Sequence, residues 1–165
     1  MDKKRIQTLI PLAMRVIEKV KIVDTKTASF EKVHEGYINA LGPNIIQSGL
    51  LPTLIFYNKD DRKKDDRKKD DRKKDDRKKD DRRKWLEALY LMYYMDKEDK
   101  EVTADDPTAI IKLVIGNKGG NVGSLTNALE YKSWEKLILE YAVALKLALR
   151  TFTAREKEKK EGGNE

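Results

Sequence analysis

The stretch FEKVHEGYINALGPNIIQSGLLPTLIFYNK, residues 30–59, contains two helical patterns separated by one glycine. Its first part repeats apolar residues at intervals of three and four, a spacing that places them on one face of a helix: Phe30, Val33, Tyr37, Leu41, Ile45 and Ile46. Gly42-Pro43 should kink or break this helix. A second helix begins at LLPT, where Pro52 is tolerated in the first turn. We expect Gly49 to adopt a left-handed conformation and to join the two helices as an antiparallel hairpin.

Helical patterns also flank the hairpin. Residues 5–23, RIQTLIPLAMRVIEKVKIV, carry an apolar stripe at helical spacing. Pro11 either lies in the first turn of this helix, with Thr8 as the N-cap, or kinks a helix that begins earlier. Residues 84–95, KWLEALYLMYYM, are apolar almost all round, which is typical of a helix buried on several sides.

The C-terminal third contains one short and one long helical pattern. In DDPTAIIKLVIG, residues 105–116, we expect Asp106 as the N-cap, Pro107 as the first helical residue and Gly116 as the stop. The last helix has the most regular stripe: Trp134, Leu137, Ile138, Tyr141, Leu145, Ala148, Leu149 and Phe152. No segment shows a convincing strand alternation. We therefore predict an all-α fold, a compact bundle of five to six helices in one domain spanning 1–165, with a frayed tail at 153–165.

Residues 60–84 repeat the pentapeptide DDRKK, with DDRRK as the fifth unit. Each unit carries two acidic and three basic side chains, so the five units supply +5 of the formal net charge of +7. A period of five advances by about 140° per unit around a helix, which spreads charge over every face and leaves no apolar stripe. We interpret the repeat as an insertion that projects from the bundle, either as a solvated single helix or as a disordered loop.

The composition excludes several classes of site. The absence of cysteine excludes thiolate metal sites and cysteine nucleophiles, and a single histidine excludes a multi-histidine metal site. That histidine, His34, adjoins Glu35, but neighbours on a helix diverge, so we expect it at the surface or near a cap. The glycine-rich GNKGGNVGS, residues 116–124, lacks the spacing of a phosphate-binding loop. We expect no enzymatic activity, metal or cofactor.

The chain also lacks an apolar run of membrane-spanning length and a signal-peptide pattern at its N-terminus. We therefore expect a soluble cytoplasmic protein that does not bind a membrane.

Outside the repeat, the order of motifs is more specific than the apolar stripes alone. An aromatic-led helix contains a proline and an aliphatic pair, then Gly-Leu, then an aromatic and basic ending: Phe30, Pro43, Ile45-Ile46, Gly49-Leu50, Phe56-Tyr57 and Lys59. This order resembles the small all-helical subunit of type III-B CRISPR RNA-targeting complexes, the Cmr small subunit. LEYAVALKLALRTFTA, residues 139–154, is similar to that family's C-terminal helix, although Arg150-Thr151-Phe152 keeps one basic residue where the family often has two. The resemblance covers most of the chain outside 60–84 and 97–124.

The resemblance implies a non-catalytic building block in antiviral defence. Several copies stack along a ribonucleoprotein whose other subunits hold the guide RNA and cleave the target RNA. The small subunit supports the backbone subunits and lines the groove for the guide–target duplex. Its partners would be these other subunits, further copies of itself, and RNA.

The residues themselves suggest where RNA would bind. Arg15 and Lys19 are four apart on one helix, as are Lys146 and Arg150 on another, so each pair shares a helix face. We predict that these four side chains contact RNA phosphates, which requires no reading of base sequence. The alternative is a helical protein–protein interaction module without nucleic-acid binding. A third reading, an enzyme, has no set of side chains to support it.

Overall fold

The computed structural model describes residues 2–59, 81–103, 105–116 and 128–155, which form six helices and one small sheet. The helices are α1 (Lys3–Lys19), α2 (Val33–Ser48), α3 (Leu50–Tyr57), α4 (Asp81–Lys97), α5 (Ala109–Ile115) and α6 (Ala128–Leu149). The strands are β1 (Val23–Asp24), β2 (Ser29–Glu31) and β3 (Thr153–Arg155). The predicted compact, mainly helical fold is confirmed. Most of the repeat, at 60–80, and most of the glycine-rich segment, at 117–124, lie outside the described residues.

Two helices continue through an internal proline. Asp2 caps α1, since its carboxylate accepts a hydrogen bond from the backbone N–H of Lys4 at 3.0 Å. The helix then passes through Pro11, and the Thr8 hydroxyl donates to a backbone carbonyl of the same helix. Of the two predicted starts, the earlier one is therefore confirmed. Helix α2 is likewise continuous through Pro43, so a break there is wrong.

The predicted hairpin is present, and its turn is a single residue. Helix α2 ends at Ser48, α3 begins at Leu50, and Gly49 between them has φ 98° and ψ 159°. The positive φ agrees with the prediction, but this ψ belongs to extended backbone and not to a left-handed helical residue. Only glycine adopts that region readily. Helix α3 folds back along α2, because the Tyr57 hydroxyl donates to the Tyr37 carbonyl at 2.6 Å.

We expect Gly49→Val to lower the free energy of unfolding by about 2 kcal/mol, because a side chain strains this backbone by about 1–3 kcal/mol. Collision contributes little, since a Cβ here would lie 3.5 Å from both the Pro52 ring and the Tyr131 hydroxyl. Denaturant unfolding measures the loss. Gly36→Ala is the control, because Gly36 lies within α2 with open space around it and alanine favours a helix. A Gly49→Val protein as stable as wild type would contradict this account of the turn.

Helix α4 lies in the centre of the core, as its apolar character predicts. It contacts every other helix, α6 among them, and it buries Trp85, Leu86, Ala88, Leu89, Leu91, Met92 and Met95. Helices α1 and α6 pack against each other with a second large set of buried side chains: Ile6, Leu9, Ala13, Val16, Ile17, Ile138, Tyr141, Leu145, Ala148 and Leu149. The apolar stripes predicted for residues 5–23 and for the last helix are therefore confirmed.

Helix α5 starts later than expected. Thr108 is its N-cap residue, and Pro107 lies in the preceding turn. The Asp106 carboxylate accepts hydrogen bonds from the Thr108 N–H at 2.9 Å and from its hydroxyl at 2.7 Å, so it stabilises that turn and does not cap the helix. Gly116 ends the helix in the left-handed conformation, with φ 77° and ψ 37°, as predicted.

The small sheet is the main departure from the predicted all-helical fold. Strand β1 pairs antiparallel with β2, and β2 pairs parallel with β3. The expected frayed tail is therefore wrong for Thr153–Arg155, and its remainder, 156–165, lies outside the described residues. Strands of two or three residues are too short to show a period-two alternation, and β3 is distant in sequence from its partner.

The sheet gathers several helix ends at one end of the bundle. Helix α1 leads into β1, β2 leads into α2, and α6 leads into β3. Helix α3 returns to this end along α2, and α4 starts there, because Lys84 Nζ donates to the Lys21 carbonyl at 3.2 Å. We call this region, formed by residues 19–34, 56–59, 82–84 and 146–155, the sheet end.

Candidate nucleic-acid interface

The four predicted phosphate-binding residues have different surroundings. Arg15 is exposed on α1. Lys19 is also exposed, but its Nζ lies 3.4 Å from the Glu101 carboxylate in an ion pair. Lys146 is half-buried beside a groove between α2 and α6. Arg150 is exposed directly after α6, where it belongs to a larger group of cations that the sequence prediction missed.

Basic side chains dominate the sheet end. Its residues include eleven lysines and arginines and two acidic residues, Asp24 and Glu31. One of the acids is engaged, because Glu31 lies 3.9 Å from the guanidinium of Arg155, which also donates to the Ser29 hydroxyl at 2.8 Å. Acidic residues also border this set: Glu101 pairs with Lys19, and Glu18, Glu35 and Asp81 adjoin it in the sequence. An excess of positive charge remains, and such an excess attracts polyanions.

The cations missed by the sequence prediction come from distant parts of the chain: Lys21, Lys26, Lys32, Lys59, Arg82, Arg83, Lys84 and Arg155. Strand pairing brings some of them together, as shown by the Lys32 N–H, which donates to the Arg155 carbonyl at 3.3 Å. No helical spacing links residues so far apart. Arg155 reaches the sheet end through β3, and Lys84 reaches it at the start of α4, where it bonds to the Lys21 carbonyl.

The last repeat unit belongs to the folded domain. Asp81–Lys84 begin α4, so the predicted boundary of the insertion at residue 84 is wrong. The Arg82 guanidinium lies 4.9 Å from the centre of the Phe56 ring, and Arg83 Nε donates to Asn58 Oδ1 at 3.1 Å. Arg83 is also the residue at which this unit departs from DDRKK. The unit that differs in sequence thus packs on the domain.

We expect deletion of residues 60–80, bridged by a short Gly-Ser linker, to change the free energy of unfolding by less than about 1 kcal/mol. The hydrogen bond between Asn58 and Arg83 shows that the two flanking segments are close. Each doubling of a loop's length changes its closure entropy by only about 0.6 kcal/mol. A longer deletion, 60–83, also removes the contacts of Arg82 and Arg83 and should lose about 1–2 kcal/mol more. A loss well above 1 kcal/mol for the 60–80 deletion in denaturant unfolding would mean that 60–80 packs on the domain.

The single histidine is buried, and the surface position predicted for it is wrong. His34 is 4% exposed, and the rings of Tyr37 and Trp85 contact it edge-on with centroid distances of 6.3 and 5.9 Å. Burial, together with the positive charges of Lys84 and Arg155, lowers the pKa of His34 to about 4. His34 is therefore neutral at neutral pH and forms part of the apolar packing beneath the sheet end.

A polar network joins three helices at the opposite end of the bundle. The Arg5 guanidinium donates to both oxygens of Asp96, at 2.9 and 2.6 Å, and through Nε to Glu140 at 3.3 Å. The Tyr141 hydroxyl donates to Asp96 at 2.7 Å. Burial disfavours the charged form of Asp96, but these hydrogen bonds outweigh it and hold the pKa of that carboxyl below its usual value. An open cleft of about 380 Å³, partly lined by Trp134, lies beside the network.

Apolar side chains are exposed on the hairpin. A shallow groove of about 200 Å³ runs between α2 and α6, with Ile46, which is 74% exposed, on its rim. Ile55 and Phe56 on α3 are also more than half exposed. A partner that filled the groove between α2 and α6 would also cover Ile46.

Among the described residues there is no group of three histidine, aspartate or glutamate side chains that could hold a metal ion. Within the same residues, each helix is too short or too polar to cross a membrane. No protein-family model, curated protein or solved structure matches the chain.

Proposed function

We propose that this chain is the small, non-catalytic subunit of a Cmr-type CRISPR ribonucleoprotein, where it contacts guide–target RNA and neighbouring subunits. The observation that carries the proposal is the sheet end, whose eleven basic and two acidic residues lie on one end of a compact helical domain. Lysine and arginine bind phosphates without reading sequence, as a subunit that serves any guide requires. The motif order of residues 30–59 supports the choice of family.

Three predicted residues, Lys19, Lys146 and Arg150, belong to the sheet end. Arg150 carries the most weight because it is exposed, whereas Lys146 is half-buried and Lys19 pairs with Glu101. Arg15 extends the basic surface along α1, which leads into the sheet. Lys19 contributes less, because its ion pair with Glu101 already neutralises part of its field. Lys146 lies beside the apolar groove, so its position also suits a contact with another protein subunit.

The apolar surface of the hairpin suits the second part of the proposed role. Ile46 and the groove between α2 and α6 expose carbon surface that a neighbouring subunit would bury. This surface is also the observation that favours the alternative, a protein–protein interaction module without nucleic-acid binding. The two functions differ in one measurable property, which is the salt dependence of RNA affinity.

An RNA-binding titration at several salt concentrations, from about 50 to 200 mM, tests the proposal. Each phosphate contact adds about 0.7–0.9 to the slope of log affinity against log salt. We expect the double variant Lys26→Glu, Arg150→Glu to reduce that slope by about two and to weaken RNA binding at least tenfold. Arg15→Glu should reduce the slope by about one.

The matched control is the double variant Lys3→Glu, Lys4→Glu, which makes the same charge change at the start of α1, away from the sheet end. Its slope should stay close to that of wild type. Wild-type protein with no salt-dependent RNA binding would contradict the proposal and favour the interaction module. Equal effects of the two double variants would show that net charge, and not the sheet end, governs binding.

A further inference from the structure

An exposed aromatic ring lies at the edge of the basic sheet end. Phe56, near the end of α3, is 52% exposed, which is unusual for a large apolar side chain. The Arg82 guanidinium approaches its ring to 4.9 Å, and the ring of Tyr57 contacts it edge-on at 6.2 Å. These contacts hold the ring in place.

The surroundings of Phe56 are cationic. Arg82 lies over the ring, Arg83 bonds to Asn58 two residues further along the chain, and Lys59 follows Asn58. An aromatic ring set among lysines and arginines is the arrangement by which proteins bind single strands: the ring stacks on a base and the cations contact the phosphates. Bases inside an RNA duplex are stacked on one another and cannot reach such a ring.

We infer that Phe56 is a stacking platform for an unpaired base of the RNA that the sheet end binds, so that Phe56 contacts RNA outside the paired guide–target region. The inference rests on the proposed RNA-binding function and specifies its ligand. A protein partner is the other candidate for an exposed phenylalanine. The concentration of positive charge around the ring favours a polyanion, because protein contact surfaces are depleted of charge at their centres.

Three RNA probes of equal length separate stacking from charge. They are a single-stranded oligouridylate, an abasic oligoribonucleotide that has the phosphates but no bases, and an RNA duplex. Wild-type protein should bind the oligouridylate about tenfold more tightly than the abasic strand, since stacking on one aromatic ring accounts for a factor of about 5–150. The duplex should also bind more weakly than the oligouridylate.

Phe56→Leu should weaken oligouridylate binding about tenfold while leaving abasic binding and the salt slope unchanged. Phe56→Trp should restore the affinity. Ile55→Ala is the matched control, because Ile55 is equally exposed on the same helix, and it should not alter any of the three affinities. A thermal melt verifies that each variant is folded.

The outcomes distinguish the inference from the function on which it rests. Salt-dependent RNA binding that is equal for wild type and Phe56→Leu would overturn the stacking role and leave the proposed function standing. Equal wild-type affinity for the oligouridylate and the abasic strand would do the same. A wild-type protein without salt-dependent RNA binding would overturn the proposed function, and the inference with it.

Discussion

The Asp96→Ala variant is expected to lose about 3 kcal/mol of the free energy of unfolding. The Asp96 carboxylate is only 10% exposed and accepts three hydrogen bonds, two from Arg5 and one from Tyr141. Removing one partner of a buried ion pair costs about 3–5 kcal/mol, because the other charge stays buried without it. Arg5 is 26% exposed and keeps its bond to Glu140, so we expect a loss of stability at the lower end of this range.

Two further variants separate this network from ordinary surface charge. Glu101→Ala removes the acid of the exposed pair with Lys19 and should cost less than about 0.5 kcal/mol. Tyr141→Phe removes one donor to Asp96 and should cost about 1.5 kcal/mol, since that hydrogen bond reaches a charged acceptor. All three are measured by denaturant unfolding at neutral pH. Similar small losses for Asp96→Ala and Glu101→Ala would show that the network does not hold α1, α4 and α6 together.

The helices were largely predictable, because each one buries a stripe that is visible in the sequence. The stripes of α1 and α6 recur every three or four residues, and α4 is apolar on nearly every side. Gly49 and Gly116 also marked helix ends correctly, since glycine alone adopts their backbone angles at little cost. Cap positions were less predictable. The sequence predicts Asp106 as the N-cap, but its carboxylate bonds within the turn that precedes α5.

The buried face of α2 was predicted only in part, and for that reason His34 was wrongly predicted to lie at the surface. Its buried face consists of His34, Ile38, Leu41 and Ile45. The predicted stripe shares only Leu41 and Ile45 with this face, and it included Val33 and Ile46, which are exposed. Val33 and His34 are neighbours, so only one of them can face the core, and hydrophobicity alone predicts that it is the valine. In the structure His34 faces the core, where its imidazole packs against Trp85 and Tyr37. The contact with Trp85 joins two separate helices, and such contacts leave no periodic pattern in the sequence.

The candidate site was less predictable than the fold. Arg150 was named because it shares a helix face with Lys146, a local relation. The other cations of the sheet end meet through the pairing of β2 with β3 and through the return of α3 and α4. These relations are between distant segments, and strands of three residues carry too little alternation to predict them.

Acid is expected to destabilise this protein through its single histidine. The pKa of His34 is about 4 in the folded protein, compared with 6.5 for an unperturbed histidine, chiefly because burial disfavours the charged imidazolium. Between these two pH values the unfolded chain binds the proton that the folded protein excludes. Stability is therefore fully present above about pH 6.5 and falls by about 1.4 kcal/mol per unit as the pH drops towards 4. The total loss attributable to His34 is about 3 kcal/mol.

The test compares the free energy of unfolding of wild type and His34→Phe at several pH values between 7 and 4. Phenylalanine does not titrate, and its ring preserves an aromatic contact with Tyr37 and Trp85. Carboxylates such as Asp96, whose pKa is also lowered, titrate in both proteins, so their contribution cancels in the difference. Wild type should lose about 3 kcal/mol more than the variant over this range, whatever their relative stability at pH 7. Parallel pH profiles for the two proteins would mean that His34 is accessible to protons in the folded state. The histidine would then not be buried beneath the sheet end.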